Sequence, residues 1–305
     1  MFLFLERNME VLDHLLDIFS LSLAFSLIGL NVFLTSNVMK VTDMSCDGSV
    51  ALGGCSYGAL VVSGFNPALA FIIAVFLGAA VGFVTSLLSN KLQLDTVIAS
   101  IVTVTALGAG LVGICSTIKI DEQECIKLLH GSFSVIDILL LAFVVVIFLS
   151  YVFHRILHSE YGLGMRIFGD GEIISESLGI DSPKMLLVAL CLGNAFSAAA
   201  GALVAQITGV FNAGMGSGAM VFGITSIIIG EKIFQPKTLD AAIYGCILSS
   251  VFYKLLVAAT VYAIVGTKLG GSVYDSLVTA VILVVVMLFV NIKKFSFSAK
   301  GRSHD

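Results

Sequence analysis

The sequence predicts an all-α fold: a polytopic helical bundle crossing a membrane about eight or nine times, with some segments broken or re-entrant. Three observations predict it. Of the 305 residues, 58% are hydrophobic and only 12% are charged, about half the charge that the surface of a soluble domain carries. Mean hydropathy is correspondingly high, at +1.07. No Asp, Glu, Lys or Arg occurs between Leu186 and Gly230, a stretch well beyond the ~20 residues that one crossing needs. Apolar runs recur from end to end with short polar joints, so residues 1–305 read as a single transmembrane domain.

The runs fall at 14–34, 49–64, 67–89, 96–116, 134–155, 185–207, 218–231, 239–264 and 272–291. The first has no small-residue cleavage pattern and reads as a retained span. The runs at 49–64 and 218–231 are short and rich in Gly and Ser, the pattern of broken or re-entrant helices whose free backbone groups line a cavity. Asp95 stands where an N-cap for the 96–116 run belongs, and Pro183 where a first-turn proline belongs in the next. Small residues recur four apart at Gly78 and Gly82 and at Gly193, Ser197 and Gly201, a spacing that lets helices approach closely in lipid.

Charge placement orients the chain. If all nine runs cross and the C-terminus is cytoplasmic, then Lys40, Lys91, Arg155, Arg166, Lys184, Lys232, Lys237 and the tail cluster Lys293, Lys294, Lys300 and Arg302 share one side. Only Arg7, Lys119, Lys127 and Lys268 take the other, and Lys254 stays within a span. The basic excess marks the cytoplasmic face. It places the long polar segment Ser159–Lys184 there.

Several chemistries are excluded. "GCSYG" at Gly54–Gly58 matches a nucleophile elbow, but that motif needs a strand, a helix and a nearby base. His14, His130, His154, His158 and His304 all lie at run ends, in loops or in the tail. No phosphate-binding G-x-x-x-x-G-K-[ST] occurs. The six cysteines follow no metal spacing, and no metal ligand set is read; Cys115 and Cys125 flank one loop and could pair if it is extracytoplasmic. Nothing points to nucleic acid. Transport remains as the default for such a bundle, with membrane lipid as its surroundings.

The loop "SEYGLGMRIFGDGEIISESLGIDSPK" (Ser159 to Lys184) contains a short helix of its own. Asp170 is placed to cap it, Glu172 and Glu176 suit its early turns, and Gly179 ends it after about two turns. Ile173, Ile174, Leu178 and Ile180 give it an apolar side. On these grounds a plain linker and a docking element are equally good readings.

Resemblance separates them. "YGLGMRIFGDGEIISESLGIDSPKM" is similar to the cytoplasmic coupling loop of bacterial ATP-binding-cassette (ABC) importer permeases of the branched-chain amino acid and ribose type. "GALVAQITGVFNAGMGSGAMVFGITSIIIGEKIF", "AIYGCILSSVFYKLLVA", "VTDMSCDGSVALGG" and "LQLDTVIASIVTVTAL" resemble the same family in order, over about residues 40 to 290. The tryptophan/tyrosine-type permeases are the nearest subgroup. The resemblance implies a permease subunit of the bacterial cytoplasmic membrane that pairs with a second copy of itself. A separate ATPase dimer would bind ATP and Mg²⁺, this chain holding no cofactor. An extracytoplasmic solute-binding protein would deliver a small solute, an amino acid or related compound. Arg166, Gly169, Asp170, Glu172, Gly179 and Ile180 would then form the coupling element. This chain has Ser175-Glu176-Ser177 where family members often carry a basic or small residue, which implies a dedicated ATPase with a more basic groove.

Polar groups at membrane depth are the candidates for the translocation pathway: Asp47 opening the 49–64 segment, Asn194, Gln206, Asn212 at the turn "NAGMGSG", and Lys254. A hydrogen-bonding role within the bundle is an equal alternative for each. A stand-alone secondary transporter or channel is the second reading, and an intramembrane enzyme a third. A secondary transporter would favour paired carboxylates or histidines at membrane depth.

Overall fold

The structure is a computed structural model and describes residues 2–117 and 135–265, with Val281. The ninth apolar run, the C-terminal tail and any pairing of Cys115 with Cys125 lie outside the described residues. Contacts divide the chain into two units, Met1–Val251 and Phe252–Asp305. The bundle set out here is the first; of the second, the structure describes the end of the helix Leu239–Val265 and Val281.

The described elements are α1 (Phe2–Val32), a π-helical turn (Phe33–Val38), α2 (Ser45–Val62), α3 (Pro67–Leu92), α4 (Thr96–Thr117) and α5 (Val135–Leu157). Then follow α6 (Glu160–Asp170), α7 (Glu172–Ser177), α8 (Ser182–Thr208), α9 (Ala219–Phe234) and α10 (Leu239–Val265). No strand occurs among the described residues. Among the described residues, five helices are long and apolar enough to cross a membrane: Leu15–Val38, Pro67–Leu92, Ile136–Leu157, Ser182–Thr208 and Leu239–Thr260. The expected eight or nine included 49–64 and 218–231, which fold as helices of 18 and 16 residues, and 96–116, apolar as far as Leu111.

Local signals explain the boundaries. Asp95 accepts from the Val97 amide at 3.1 Å at the start of α4. Asn66 accepts from Ala68 at the start of α3, and Pro67 takes the first helical position. Asp181 caps α8 by accepting from the Lys184 amide, with Pro183 in the first turn. These caps satisfy amides that have no partner within the helix.

Helix α8 is the axis of the bundle, and α3, α2 and α1 pack around it most extensively. Small residues make this possible. A methyl group on Gly82 would overlap the Leu190 carbonyl, and one on Gly53 the Ala198 backbone. Gly78 and Gly201 sit equally close to Asn194 and Val50. The glycines of 49–64 therefore do not interrupt a helix. They let an unbroken α2 lie against α8. Outward, Phe76, Val144 and Phe148 are exposed, as side chains facing lipid are.

Two helices begin halfway through the bundle. Asn194 is the middle of the 27-residue α8, which at 1.5 Å per residue is ~40 Å long. Ser45, the first residue of α2, lies 3.0 Å from Asn194. The first amides of α9 reach Asp47, one turn into α2. Thus α2 and α9 both start at mid-depth along α8. The chain preceding α2 enters through the π-helical turn and residues 39–44; the chain preceding α9 enters through the turn at 209–218. The glycine-rich runs 49–64 and 218–231, expected to be broken or re-entrant, thus fold as unbroken helices, and the breaks lie in the chain ahead of them.

Candidate functional site

The first candidate region is the polar centre at mid-depth. Asp43 accepts from the Ser45 amide at 2.8 Å, capping α2, and from Asn194 Nδ2 at 3.0 Å. Asn194 also donates to the Leu190 carbonyl and accepts from the hydroxyls of Ser45 and Ser49, at 3.0 and 2.6 Å. Asn194, Ser45 and Ser49 are fully buried and Asp43 nearly so. Every polar atom of Asn194 is engaged, so it ties α2 to α8. One turn on, Asn31 of α1 donates to Ser197 at 2.6 Å.

Asp47 does not cap its own helix. Its two oxygens accept from the amides of Gly218, at 3.1 Å, and Met220, at 2.8 Å. A carboxylate is thereby fixed at the positive end of α9, where a helix N-terminus favours negative charge. The "NAGMGSG" turn reaches this depth because its small residues pass close to α2: a methyl on Gly216 would strike the Asp47 carbonyl. Asn212 accepts from the Gly214 amide at 2.9 Å and shapes the turn. Gln206 is buried and accepts from the Tyr57 hydroxyl. Lys254 belongs to the second unit, where its side chain is half-buried. The structure thus gathers Asp47 and Asn194 at the centre, with Asn212 in the turn leading to α9. Asp43 was missed in the sequence. Its Asp-x-Ser spacing ahead of an apolar run is a capping signal that could have found it. Ser56 of the elbow-like "GCSYG" lies inside α2 and donates to the Gly53 carbonyl, so no strand–turn–helix forms there.

The second region is one end of the bundle. Here α6 and α7 form an angular arm between α5 and α8. Asp170 is the last residue of α6, and Gly171 takes the N-terminal position of α7; the expected cap by Asp170 is therefore corrected. Gly171 has φ +154, and this kink turns the Asp170 side chain away from α7. Asp170 instead pairs with Lys40 at 2.8 Å. Gly169 packs on the Val38 carbonyl so tightly that a methyl there would overlap it. Arg166 donates to the carbonyls of Gly162 and Leu157, fastening α6 to the end of α5. Glu172 begins α7.

Gly179 ends α7 with φ +76, as expected. The Ile180 amide closes that end on the Ser175 carbonyl at 3.0 Å, and Ser182 donates to Ser175. Ser175 is thus buried, leaving Glu176 and Ser177 exposed. Ile173, Ile174 and Leu178 are 85%, 50% and 63% exposed. The apolar side of α7 is uncovered by the described residues. Asp181, at the root of α8, is held below the ordinary carboxylate range, first by its hydrogen bond from the Lys184 side chain. It remains ionised at neutral pH, and its capping is lost only as pH falls through that lowered value.

The same end collects further polar contacts. Asn37 donates to Glu231 at 2.8 Å, Asn90 to the Pro183 carbonyl, and His154 and His158 approach Asp240. Lys40, Arg166, Lys184 and the end of α9 thus share one face, in keeping with the charge pattern.

Among the described residues, five helices long and apolar enough to cross a membrane, with two further helices that start at mid-depth, make this a multi-pass membrane protein. A family profile described as the branched-chain amino acid transport system permease component matches residues 14–290. The chain is 27% identical over 282 residues to the tyrosine transport system permease protein of Clostridioides difficile (strain R20291), covering 92% of each chain. It is 26% identical over 238 residues to an uncharacterized protein of Rickettsia prowazekii (strain Madrid E), covering 73% of this chain and 80% of that protein. The chain belongs to the branched-chain amino acid transport permease family, whose members are ABC-type permease components.

Proposed function

We propose that this chain, acting as one permease domain, is the membrane subunit of an ATP-driven importer for an amino acid of the aromatic class. The observation that carries the reading is α7. This six-residue helix is flanked at both ends by glycines of positive φ, linked through the Asp170–Lys40 pair to the chain just after the π-helical turn, and left with Ile173, Ile174 and Leu178 uncovered by the described residues. A helix this short is not stable alone in water. Held by α6 and α8, it offers a firm apolar knob that a groove on an ATPase would cover, and Glu176 beside it suits a basic groove. The likeness to a tyrosine permease over nearly the whole length supports the substrate class.

In this mechanism, ATP-driven closure of two ATPase subunits displaces α7 in each of two permease copies. Gly169, Asp170 and Arg166 carry that displacement to the ends of α1 and α5. The π-helical turn at 33–38 and the break at 39–44 connect it to the Asp43–Asn194 centre, where α2 and α9 begin. A solute-binding protein presents the amino acid on the opposite face. The chain lies in the bacterial cytoplasmic membrane, with α7 and its C-terminus on the cytoplasmic side. Among the described residues, Asp43 and Asp47 are acids at mid-depth that a proton-coupled carrier would use. Both are committed as helix caps, which favours the ATP-driven reading.

The test is reconstitution in liposomes with the candidate ATPase and receptor. Tyrosine uptake is expected only with ATP and both partners present, and Ile173→Glu is expected to abolish ATPase association while the permease remains folded. Uptake by the isolated chain without nucleotide would overturn the proposal.

A further inference from the structure

Where the last turn of α5 meets the first turn of α10, three side chains converge. His154 stands in the last turn of α5 and His158 just past its end, and Asp240 projects from α10 between them. His154 Nδ1 lies 3.3 Å and His158 Nε2 3.1 Å from the same oxygen, Asp240 Oδ1. The donor atoms of all three residues lie within 4.8 Å of one another. Zinc bonds of ~2.0–2.1 Å in tetrahedral array place neighbouring ligand atoms about 3.3 Å apart, close to both separations.

The hydrogen bonding points the same way. His158 Nδ1 lies 2.9 Å from the His154 carbonyl oxygen. A carbonyl only accepts, so Nδ1 carries the proton, and in the neutral ring Nε2 presents its lone pair to Asp240. Fixing the tautomer through the second ring nitrogen is how metal-ligating histidines are commonly oriented. His154 Nδ1 and Asp240 Oδ1 are both buried atoms without a hydrogen-bond partner. Unmet polar atoms of this kind are costly, and here they face each other across a gap that a cation would fill.

We propose that His154, His158 and Asp240 bind a divalent transition-metal ion of the zinc class, with water at a fourth position. Two imidazoles and one carboxylate suit zinc and its neighbours rather than calcium or magnesium, which prefer all-oxygen sites. The ion cross-links α5 to α10. Because α6 starts two residues beyond His158, the ion sits at the base of the arm that carries α7. The binding claim stands independently of the transport reading.

The experiment is a titration of the tag-free full-length chain in detergent with Zn²⁺ against a fluorescent chelator, with Co²⁺ as a spectroscopic substitute. One ion per chain is expected. His158→Ala and Asp240→Asn should each weaken binding on the order of 100-fold or more and remove the visible absorption of four-coordinate Co²⁺. His304→Ala should change neither. His158→Cys, which keeps a ligand atom, should retain binding and so separates loss of a ligand from loss of the fold. Absence of stoichiometric Zn²⁺ binding by the wild-type chain would overturn the proposal, as would binding that survives both Asp240→Asn and His158→Ala.

Discussion

The carboxylate of Asp170 meets the ammonium of Lys40 at 2.8 Å, with both side chains more than half exposed. Lys40 follows the π-helical turn of α1 and has φ 55, so its backbone departs sharply from the helix at the point of contact. The pair joins the kink before α7 to the break before α2. An exposed ion pair of this kind contributes about 0–1 kcal/mol. Its importance is positional.

Lys40→Ala and Asp170→Ala should therefore leave the melting temperature nearly unchanged, while tyrosine uptake per ATP hydrolysed falls in the reconstituted system. The double exchange Lys40→Asp with Asp170→Lys should restore much of the coupling. Equal uptake in all these variants would show that the pair transmits nothing.

Asn194→Ala would leave Asp43, Ser45 and Ser49 without their shared partner in a buried site. Ser45 and Asp43 keep each other, but the Ser49 hydroxyl and Asp43 Oδ2 lose this partner, at a cost of about 1–3 kcal/mol each. A clear drop in melting temperature in detergent is expected, larger than for Asn212→Ala, whose side chain serves one exposed turn.

Gly82→Val pushes a side chain into the Leu190 backbone. Overpacking of this kind costs about 1–3 kcal/mol, and the variant should be less stable or poorly expressed. Gly108 on α4 has open space where a Cβ would stand. Gly108→Ala should be neutral or stabilise by about 0.5–1 kcal/mol. Thermal unfolding of the two variants side by side checks the contrast.

At Gly179 the space for a side chain is open and the backbone is the obstacle, with φ +76. Gly179→Val should strain the end of α7 by about 1–2 kcal/mol, with Asn better tolerated. The fold should survive while ATPase activity and transport separate. Unchanged coupling in the valine variant would count against α7 as the transmitting helix.

Much of this was legible in the chain. Hydropathy marked the apolar runs, and the local caps at Asp95 and Pro183 fell where expected, because both signals act within a few residues. Gly179 was readable for the same reason. Long-range partners were not. Asp170 looked like a cap because Asp before a helix usually is one, and only the kink at Gly171 frees it for Lys40. Asp47 likewise serves a helix that begins more than 170 residues later. The His154 and His158 spacing was visible, but Asp240, from a different helix, is what makes it a cluster. Glycine in 49–64 carried two meanings, interruption and close approach, and the depth of α8 decided for the second.

The seating of Asp47 on α9 has a consequence for whatever passes through. The exposed amides at the start of a helix are a natural clasp for the acid group of a free amino acid. Here the protein has filled that clasp with a carboxylate of its own, bonded to Gly218 and Met220. In the importer mechanism proposed above, that clasp gives the cargo no hold, and the choice of what enters would fall to a component that meets the molecule before the membrane does.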